Sequence, residues 1–130
     1  SAALLLPSIR NSRLFITQIL WFYGEIRTII FTKGREKKIK TLLNPYLVVE
    51  VLSRSTMRYD LAVKLPRYKS LPSVEHILLV NQDKPAVSLY SCTGSPGQWL
   101  NAEVQDLEAG FVTINRNKLR LADIYKNTQL

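Results

Sequence analysis

The chain has 130 residues, a length that suits one domain with a single modest core. Its one cysteine excludes an internal disulfide framework and a cysteine-rich zinc site, and it fits a reducing cytoplasm. The net charge of +8 is unevenly distributed, since residues 1–70 carry 13 Lys and Arg against 4 Asp and Glu, whereas residues 71–130 carry 5 against 6. A basic half of this kind predicts a polyanionic partner, most simply nucleic acid, with a solvated basic surface as the alternative.

Residues 14–24, LFITQILWFYG, form the first strongly apolar segment. A helix that spans a bilayer needs about 20 apolar residues, so this segment is too short to cross a membrane. A signal peptide is the alternative because Arg10 and Arg13 precede the segment, but no small-residue cleavage site follows it. We therefore expect a core helix or strand here, and no membrane partner.

The next segment combines a short apolar run with a basic one. Residues 29–31 predict a strand, and the sequence KGREKKIK that follows carries five basic residues and one acidic residue. We expect this basic stretch to form an exposed loop or a short hairpin arm. Lys37, Lys38 and Lys40 are candidate contacts to the phosphates of DNA, and a solvated loop is the alternative.

A buried strand is predicted at residues 45–53, PYLVVEVLS, and it carries one charged residue. The residues around Glu50 are apolar on both faces of the strand, which is the pattern of a strand inside a sheet. An unpaired carboxylate in such a place costs several kcal/mol or takes up a proton. Glu50 is therefore the first candidate for a functional residue.

The segment SRSTMRYDLAVKLPRYKSL comes directly after this strand and predicts a helix. Ser55 or Thr56 can cap its first turn. Asp60 and Lys64 are four positions apart and therefore lie on one face of the helix. Pro66 lies inside the segment and predicts a kink, or a break into two short pieces.

Strand and turn patterns fill the rest of the chain. Four further strands and a closing helix are predicted, at residues 76–81, 86–91, 98–104, 111–115 and 120–127 respectively. A strand, a helix and then an antiparallel run of strands predict an α+β fold, in which a mixed β-sheet is flanked by helices. We expect His76 to have a structural role and Trp99 to pack in the core rather than stack on bases.

Glu50, Asp60 and Lys64 form the constellation that can carry chemistry. A carboxylate beside an ammonium can hold Mg²⁺ or Mn²⁺ and orient a water, since Mg²⁺ needs only one or two protein carboxylates plus a substrate phosphate. Basic residues nearby would attract that phosphate, and these are Arg54, Arg58, Arg67 and Lys69. The alternative is a structural ion pair of Glu50 with Lys64 or Arg58 that locks the helix to the sheet.

Residues 44–90 resemble the core of the Uma-two family of restriction endonuclease-like proteins. The pieces that carry the resemblance are VVEVLS-x-ST-x-x-YD, the K-x-P-x-Y that follows it, and LLV-x-QD. LRLADIYKN, at residues 119–127, resembles the C-terminal end of the same family. On this basis we interpret residues 1–130 as one nuclease-like domain, with the family core at 44–127 and a divergent or truncated part at 1–40.

The resemblance implies the PD-(D/E)XK nuclease superfamily, whose core is a mixed sheet flanked by helices and whose members hydrolyse phosphodiester bonds in DNA with Mg²⁺. By its motif, Glu50 is the acidic position of (D/E)XK and a metal ligand. Lys64 replaces the lysine of that tripeptide, where this chain has Leu52, and Asp60 belongs to the same catalytic motif. The resemblance implies DNA as the partner and fits a cytoplasmic location, and it leaves open whether the protein forms a homodimer.

The N-terminal third departs from the family pattern. The family has a metal-binding Asp on the strand before the glutamate strand, and RTIIFT places Thr28 there, whereas in a second alignment Glu25 corresponds to an early family acid. Both alignments imply that this third is truncated, rearranged or frameshifted. With one firm carboxylate instead of two, a divalent cation is held weakly, so we expect cleavage to be poor or absent. A non-catalytic nucleic-acid-binding or interaction module is the alternative, and whether the chain is an enzyme stays open.

Overall fold

The computed structural model describes residues 15–22, 25–32 and 45–126 of the chain. Its main sheet has six strands that lie in chain order, β1 to β6. Their bounds are Phe15–Phe22, Glu25–Thr32, Leu47–Leu52, His76–Asn81, Val87–Cys92 and Trp99–Val104. The pair β3 and β4 is parallel, and every other neighbouring pair is antiparallel. The predicted mixed sheet and α+β class are confirmed.

Helix α1, at residues 57–70, connects the parallel strands β3 and β4, since a parallel pair needs a crossover. It consists of an α-helical turn, a π-helical segment and a second α-helical segment, at Met57–Tyr59, Asp60–Lys64 and Leu65–Ser70. In the π-helical segment the N–H of Leu65 donates to the carbonyl of Asp60, five residues earlier. The interruption expected at Pro66 is therefore a wide turn that ends just before the proline, which has no N–H to donate.

A second layer covers the opposite face of the sheet. It contains the hairpin of β7, Phe111–Ile114, and β8, Asn117–Arg120, followed by the short helix α2, Leu121–Ile124. Apolar residues of this layer join Val49 and Val51 of β3 in one buried cluster. The sheet is thus covered on both faces, which explains why all six residues of β3 are buried.

The strand predicted at residues 111–115 is β7, and β8, which pairs with it, was not predicted from the sequence. The turn between them contains Asn115 and Arg116, which have positive φ values of 51° and 67°. Two such residues in succession allow a tight two-residue hairpin. Asn is common at such a position but Arg is not, so the turn carried only half of its usual sequence signal.

The apolar segment at residues 14–24 contributes β1, so a strand forms where a core helix or strand was expected. Among the three described ranges, no helix combines the length and apolar character needed to cross a bilayer. The basic stretch with Lys37, Lys38 and Lys40 lies outside the described residues.

Candidate active site

Glu50 occupies the middle of β3 and is 1% exposed. Its side chain lies on the same face of the strand as those of Val48 and Leu52, because side chains alternate along a strand. Val48 and Leu52 belong to the apolar cluster that also contains Leu65 of α1. The carboxylate is therefore enclosed between the sheet and α1, away from bulk water.

Four polar side chains surround this carboxylate. Thr28 donates a hydrogen bond of 2.8 Å from its hydroxyl to Glu50 Oε1, and the Tyr68 hydroxyl donates to the same oxygen. Lys64 Nζ lies 3.5 Å from Glu50 Oε2 and 3.3 Å from Asp60 Oδ1. Asp60 is itself only 3% exposed, so Lys64 bridges two buried carboxylates. We call Glu50 and its four neighbours, Thr28, Asp60, Lys64 and Tyr68, the Glu50 cluster.

Sheet register and helix spacing together build the Glu50 cluster. Thr28 of β2 lies directly opposite Glu50 in the antiparallel pair β2 and β3. Asp60, Lys64 and Tyr68 follow one another at intervals of four, which places them along one side of α1. The crossover then lays that side of α1 over the middle of β3.

The electrostatics of Glu50 are dominated by its burial. Loss of water raises the pKa of the Glu50 carboxyl above its usual value, while hydrogen bonds from Tyr68 and Thr28 and the charge of Lys64 oppose the rise. Burial and the adjacent Glu50 also raise the pKa of the Tyr68 phenol. Tyr68 therefore stays protonated and remains a hydrogen-bond donor to the carboxylate across the ordinary pH range.

The structure brings together the three residues that sequence analysis proposed for catalysis, Glu50, Asp60 and Lys64. Of the two ion pairs considered for Glu50, the one with Lys64 forms. Arg58 is exposed and does not pair with Glu50, so that alternative is wrong. Tyr68 is a partner of Glu50 that was not predicted from the sequence. The K-x-P-x-Y spacing carried that signal, because a tyrosine four residues after Lys64 shares its side of a helix.

The strand register also distinguishes between the two alignments of the N-terminal part, because it shows which residue of β2 is opposite Glu50. Thr28 is the residue of β2 that pairs with Glu50, whereas Glu25 is at the start of β2, opposite Phe22 of β1. A side chain at position 28 contacts the buried carboxylate, so Thr28 stands where a second acidic ligand would be needed.

The donor set does not fit a divalent cation as it stands. Within residues 15–22, 25–32 and 45–126, no group of three or more His, Cys, Asp or Glu could hold a metal ion. Glu50 Oε1 already accepts two hydrogen bonds, and the ammonium of Lys64 lies at both carboxylates. Mg²⁺ takes oxygen ligands and keeps several waters, and a carboxylate enclosed to this degree leaves little room for them.

The arginines predicted to contact nucleic acid lie on the outside of the molecule. Arg54 precedes α1, and Arg58 and Arg67 are on the helix itself. All three are exposed, and the structure gives none of them an ion pair within the described part of the chain. They are therefore available to an external anion.

Comparison with known proteins gives two similarities. The uncharacterized protein sll1609 of Synechocystis sp. (strain ATCC 27184 / PCC 6803 / Kazusa) is 29% identical over 112 residues, which is 82% of this chain and 63% of that protein. The chain thus spans less than two thirds of the length of this relative. Residues 21–114 match the sequence model described as "Uma2: Putative restriction endonuclease".

The family match begins well before residue 44, where the resemblance was recognised, and includes Thr28 and β2. It ends at residue 114, so the resemblance at 119–127 lies beyond it. The matched range covers most of the chain and contains all five residues of the Glu50 cluster. The protein therefore belongs to the Uma2 family of restriction endonuclease-like proteins.

Proposed function

We propose that the protein is a nuclease-like domain that binds DNA and in which metal-dependent cleavage is impaired. Membership of a restriction endonuclease family supports the nuclease-like character and DNA as the substrate class. The observation that carries the proposal is the hydroxyl of Thr28, 2.8 Å from Glu50 Oε1, at the position where a second acidic ligand would be needed.

Charge balance supports the loss of cleavage. Restriction endonuclease-like families generally use divalent metal ions, which the protein attracts with several closely spaced carboxylates. In the Glu50 cluster the two carboxylates share one internal cation, Lys64, whose ammonium already neutralises part of their charge. Thr28 adds a hydrogen-bond donor rather than an anion, so the attraction for an external cation is further reduced.

The Glu50 cluster has a second role in this proposal, which is to hold α1 in place on the sheet. Buried polar side chains that satisfy one another fix the position of the elements that carry them. The exposed residues Arg58 and Arg67 then face outwards from a rigid helix. Together with Arg54 and the lysines at 37, 38 and 40, they are the proposed contacts to DNA phosphates.

Cleavage and binding assays on the same purified protein test this proposal. We expect the wild-type protein to nick supercoiled plasmid in Mg²⁺ or Mn²⁺ no faster than Glu50→Gln does. Both proteins should bind duplex DNA equally well with EDTA, and neutralising Lys37, Lys38 and Lys40 should weaken binding. Metal-dependent nicking that Glu50→Gln abolishes would instead make the protein an active endonuclease, and absence of DNA binding would favour an interaction module.

Two further expectations belong to the same proposal. A cytoplasmic location is supported by the single cysteine, Cys92, which is free and exposed. A homodimer is supported only by the family relationship, and sedimentation equilibrium tests it directly.

A further inference from the structure

A cleft separate from the Glu50 cluster lies between the C-terminal end of α1 and the turn that joins β5 to β6. Its volume is about 330 Å³, at the lower end of the range of about 300–1,000 Å³ that is typical of ligand pockets. The residues that define its chemistry are Lys69, Val74, Cys92, Gln98 and Trp99. No member of the Glu50 cluster lines it, so its occupant need not contact Glu50.

Trp99 gives the cleft a fixed aromatic wall. It is partly buried, because it packs against the apolar cluster that contains Val74 and Ile77. The expectation that Trp99 is a core residue therefore holds for one part of its surface only, and another part lines the cleft. A large ring that is held from behind and open in front is a stacking surface for a flat ligand.

The charge of the cleft selects for an anion. Lys69 is its one charged lining residue, and neither an Asp nor a Glu is among the described residues that line it. The Lys69 ammonium lies 4.4 Å from the centroid of the Tyr90 ring, an arrangement that holds it beside the cleft.

The turn from β5 to β6 supplies polar groups at the opposite rim. Gly94 and Gly97 have φ values of +89° and +76°, which a residue with a side chain adopts only with strain. No atom lies within 4 Å of a Cβ built on either glycine, so the backbone path and not lack of space requires them. The exposed amide of Gln98, next to Trp99, can donate to and accept from the edge of a base.

We propose that this cleft takes one unpaired base of a DNA strand, stacked on Trp99, with the adjoining phosphate at Lys69. This inference rests on the proposed function, because it takes DNA as the partner, and it adds a preference for strands with an unstacked base. Every base has a flat face, so such a site is tolerant of sequence. A paired base inside a duplex cannot reach the cleft without leaving the stack.

Cys92 provides the test, since it lines the cleft and is the single cysteine of the chain. The rate of its alkylation by a maleimide is measured with saturating single-stranded DNA, with the same oligonucleotide made abasic throughout, and with a blunt duplex. We expect the strand with bases to slow alkylation at least tenfold. The abasic strand and the duplex should leave the rate nearly unchanged at concentrations where both are bound.

Affinity measurements on variants test the same site without the thiol. Trp99→Ala should weaken single-stranded binding about tenfold and Trp99→Phe much less, because stacking needs a ring and not this particular ring. Duplex affinity should be unchanged in both variants. Leu100→Ala is the matched control, since Leu100 is the next residue of β6, is 65% exposed and lies on the opposite face of the sheet.

The outcomes separate this inference from the proposed function. If DNA binds but the abasic strand protects Cys92 as well as the strand with bases does, or Trp99→Ala matches Leu100→Ala, the base-binding cleft is wrong and DNA binding stands. If no DNA form binds, both proposals fail. Protection of Cys92 by bases, together with the selective loss in Trp99→Ala, would establish the cleft.

Discussion

Thr28 and Glu50 face each other across the antiparallel pair β2 and β3, and the hydroxyl of Thr28 donates a hydrogen bond of 2.8 Å to the buried carboxylate. A neutral side chain at this position satisfies Glu50 without adding a negative charge. The same position would bring a second carboxylate into contact with Glu50 if its residue were acidic. The charge of the residue at position 28 thus sets how strongly the site attracts a divalent cation.

Thr28→Asp should therefore create metal-dependent stability. Without metal, two buried carboxylates in contact should destabilise the fold by about 2 kcal/mol or more. Millimolar Mn²⁺ should recover much of this loss, because the cation neutralises both groups. Thermal unfolding with and without MnCl₂ measures the effect, and Thr28→Asn is the control that has the same shape and no charge. An equal response of both variants to Mn²⁺ would show that position 28 does not govern metal binding.

Lys64→Met should strongly destabilise the protein. It keeps an apolar stem but removes the cation between Glu50 and Asp60, and breaking a buried ion pair on one side costs about 3–5 kcal/mol. Since Lys64 is 30% exposed, we expect a loss near the lower end of that range. Urea unfolding measures it. The double variant Lys64→Met with Glu50→Gln should be more stable than Lys64→Met alone, and a strictly additive loss would contradict the coupling.

Tyr68→Phe should cost about 1.5–3 kcal/mol, because it removes a hydrogen bond to a buried charged group and leaves the packing of the ring intact. The free energy of unfolding in urea is again the measurement. Tyr59→Phe is the matched control, since Tyr59 is on the same helix and is 52% exposed. Similar stabilities for the two variants would show that the Tyr68 hydroxyl contributes nothing to holding Glu50.

The stability of the wild type relative to Glu50→Gln should fall as the pH rises. Burial raises the pKa of Glu50 in the folded state above its ordinary value of 4.5, so the folded state binds the proton more tightly than the unfolded chain does. The stability that this tighter proton binding adds is fully present below pH 4.5 and is lost as the pH rises through the pKa of Glu50 in the folded state. Melting temperatures of both proteins across the pH range measure the difference, in which the other acids cancel. A difference that grows with pH would reverse the assignment.

Exposed arginines on and before α1 should set the salt dependence of DNA binding. Each phosphate contact contributes about 0.9 to the slope of log K against log salt, so alanine at Arg54, Arg58 and Arg67 together should lower the slope by about 2–3. Fluorescence anisotropy with labelled duplex at several salt concentrations measures it. Lys84→Ala, in the exposed turn between β4 and β5, is the control. If Lys84→Ala lowered the slope as much per charge removed, positive charge anywhere on the surface would contribute to DNA binding and these arginines would not form a defined site.

Much of the fold was predictable because its signals are local. The continuous apolar runs around Val49 and Leu78 gave β3 and β4, and the Asp60 and Lys64 spacing gave the face of α1 that meets Glu50. Thr56 precedes α1 as expected of a capping residue, but its hydroxyl accepts from the Ser53 N–H at 3.2 Å instead of capping the helix. The position of a helix start is thus easier to predict than the bond that stabilises it.

The remaining parts depend on contacts between distant residues. Thr28 and Glu50 are 22 positions apart, and only the sheet register shows that one contacts the other. Trp99 shares the cleft with Lys69, which lies 30 positions earlier in the chain, and no spacing within β6 reveals this neighbour. Pattern reasoning identifies which residue types are unusual, whereas the tertiary structure decides which of them meet.

The π-helical segment Asp60–Lys64 has a consequence for how this helix can change over evolutionary time. Each residue of a regular α-helix advances the side-chain direction by about 100°, and the wide turn absorbs one residue without passing that rotation on. Deleting Val63 would turn the wide turn into a regular α-helical turn and leave Asp60 on the side of α1 that carries Lys64 and Tyr68, because positions seven apart in a regular helix share a face. A relative with a regular helix here can therefore share Lys64 and Tyr68 while its acidic residue comes from a position that a simple alignment would not pair with Asp60.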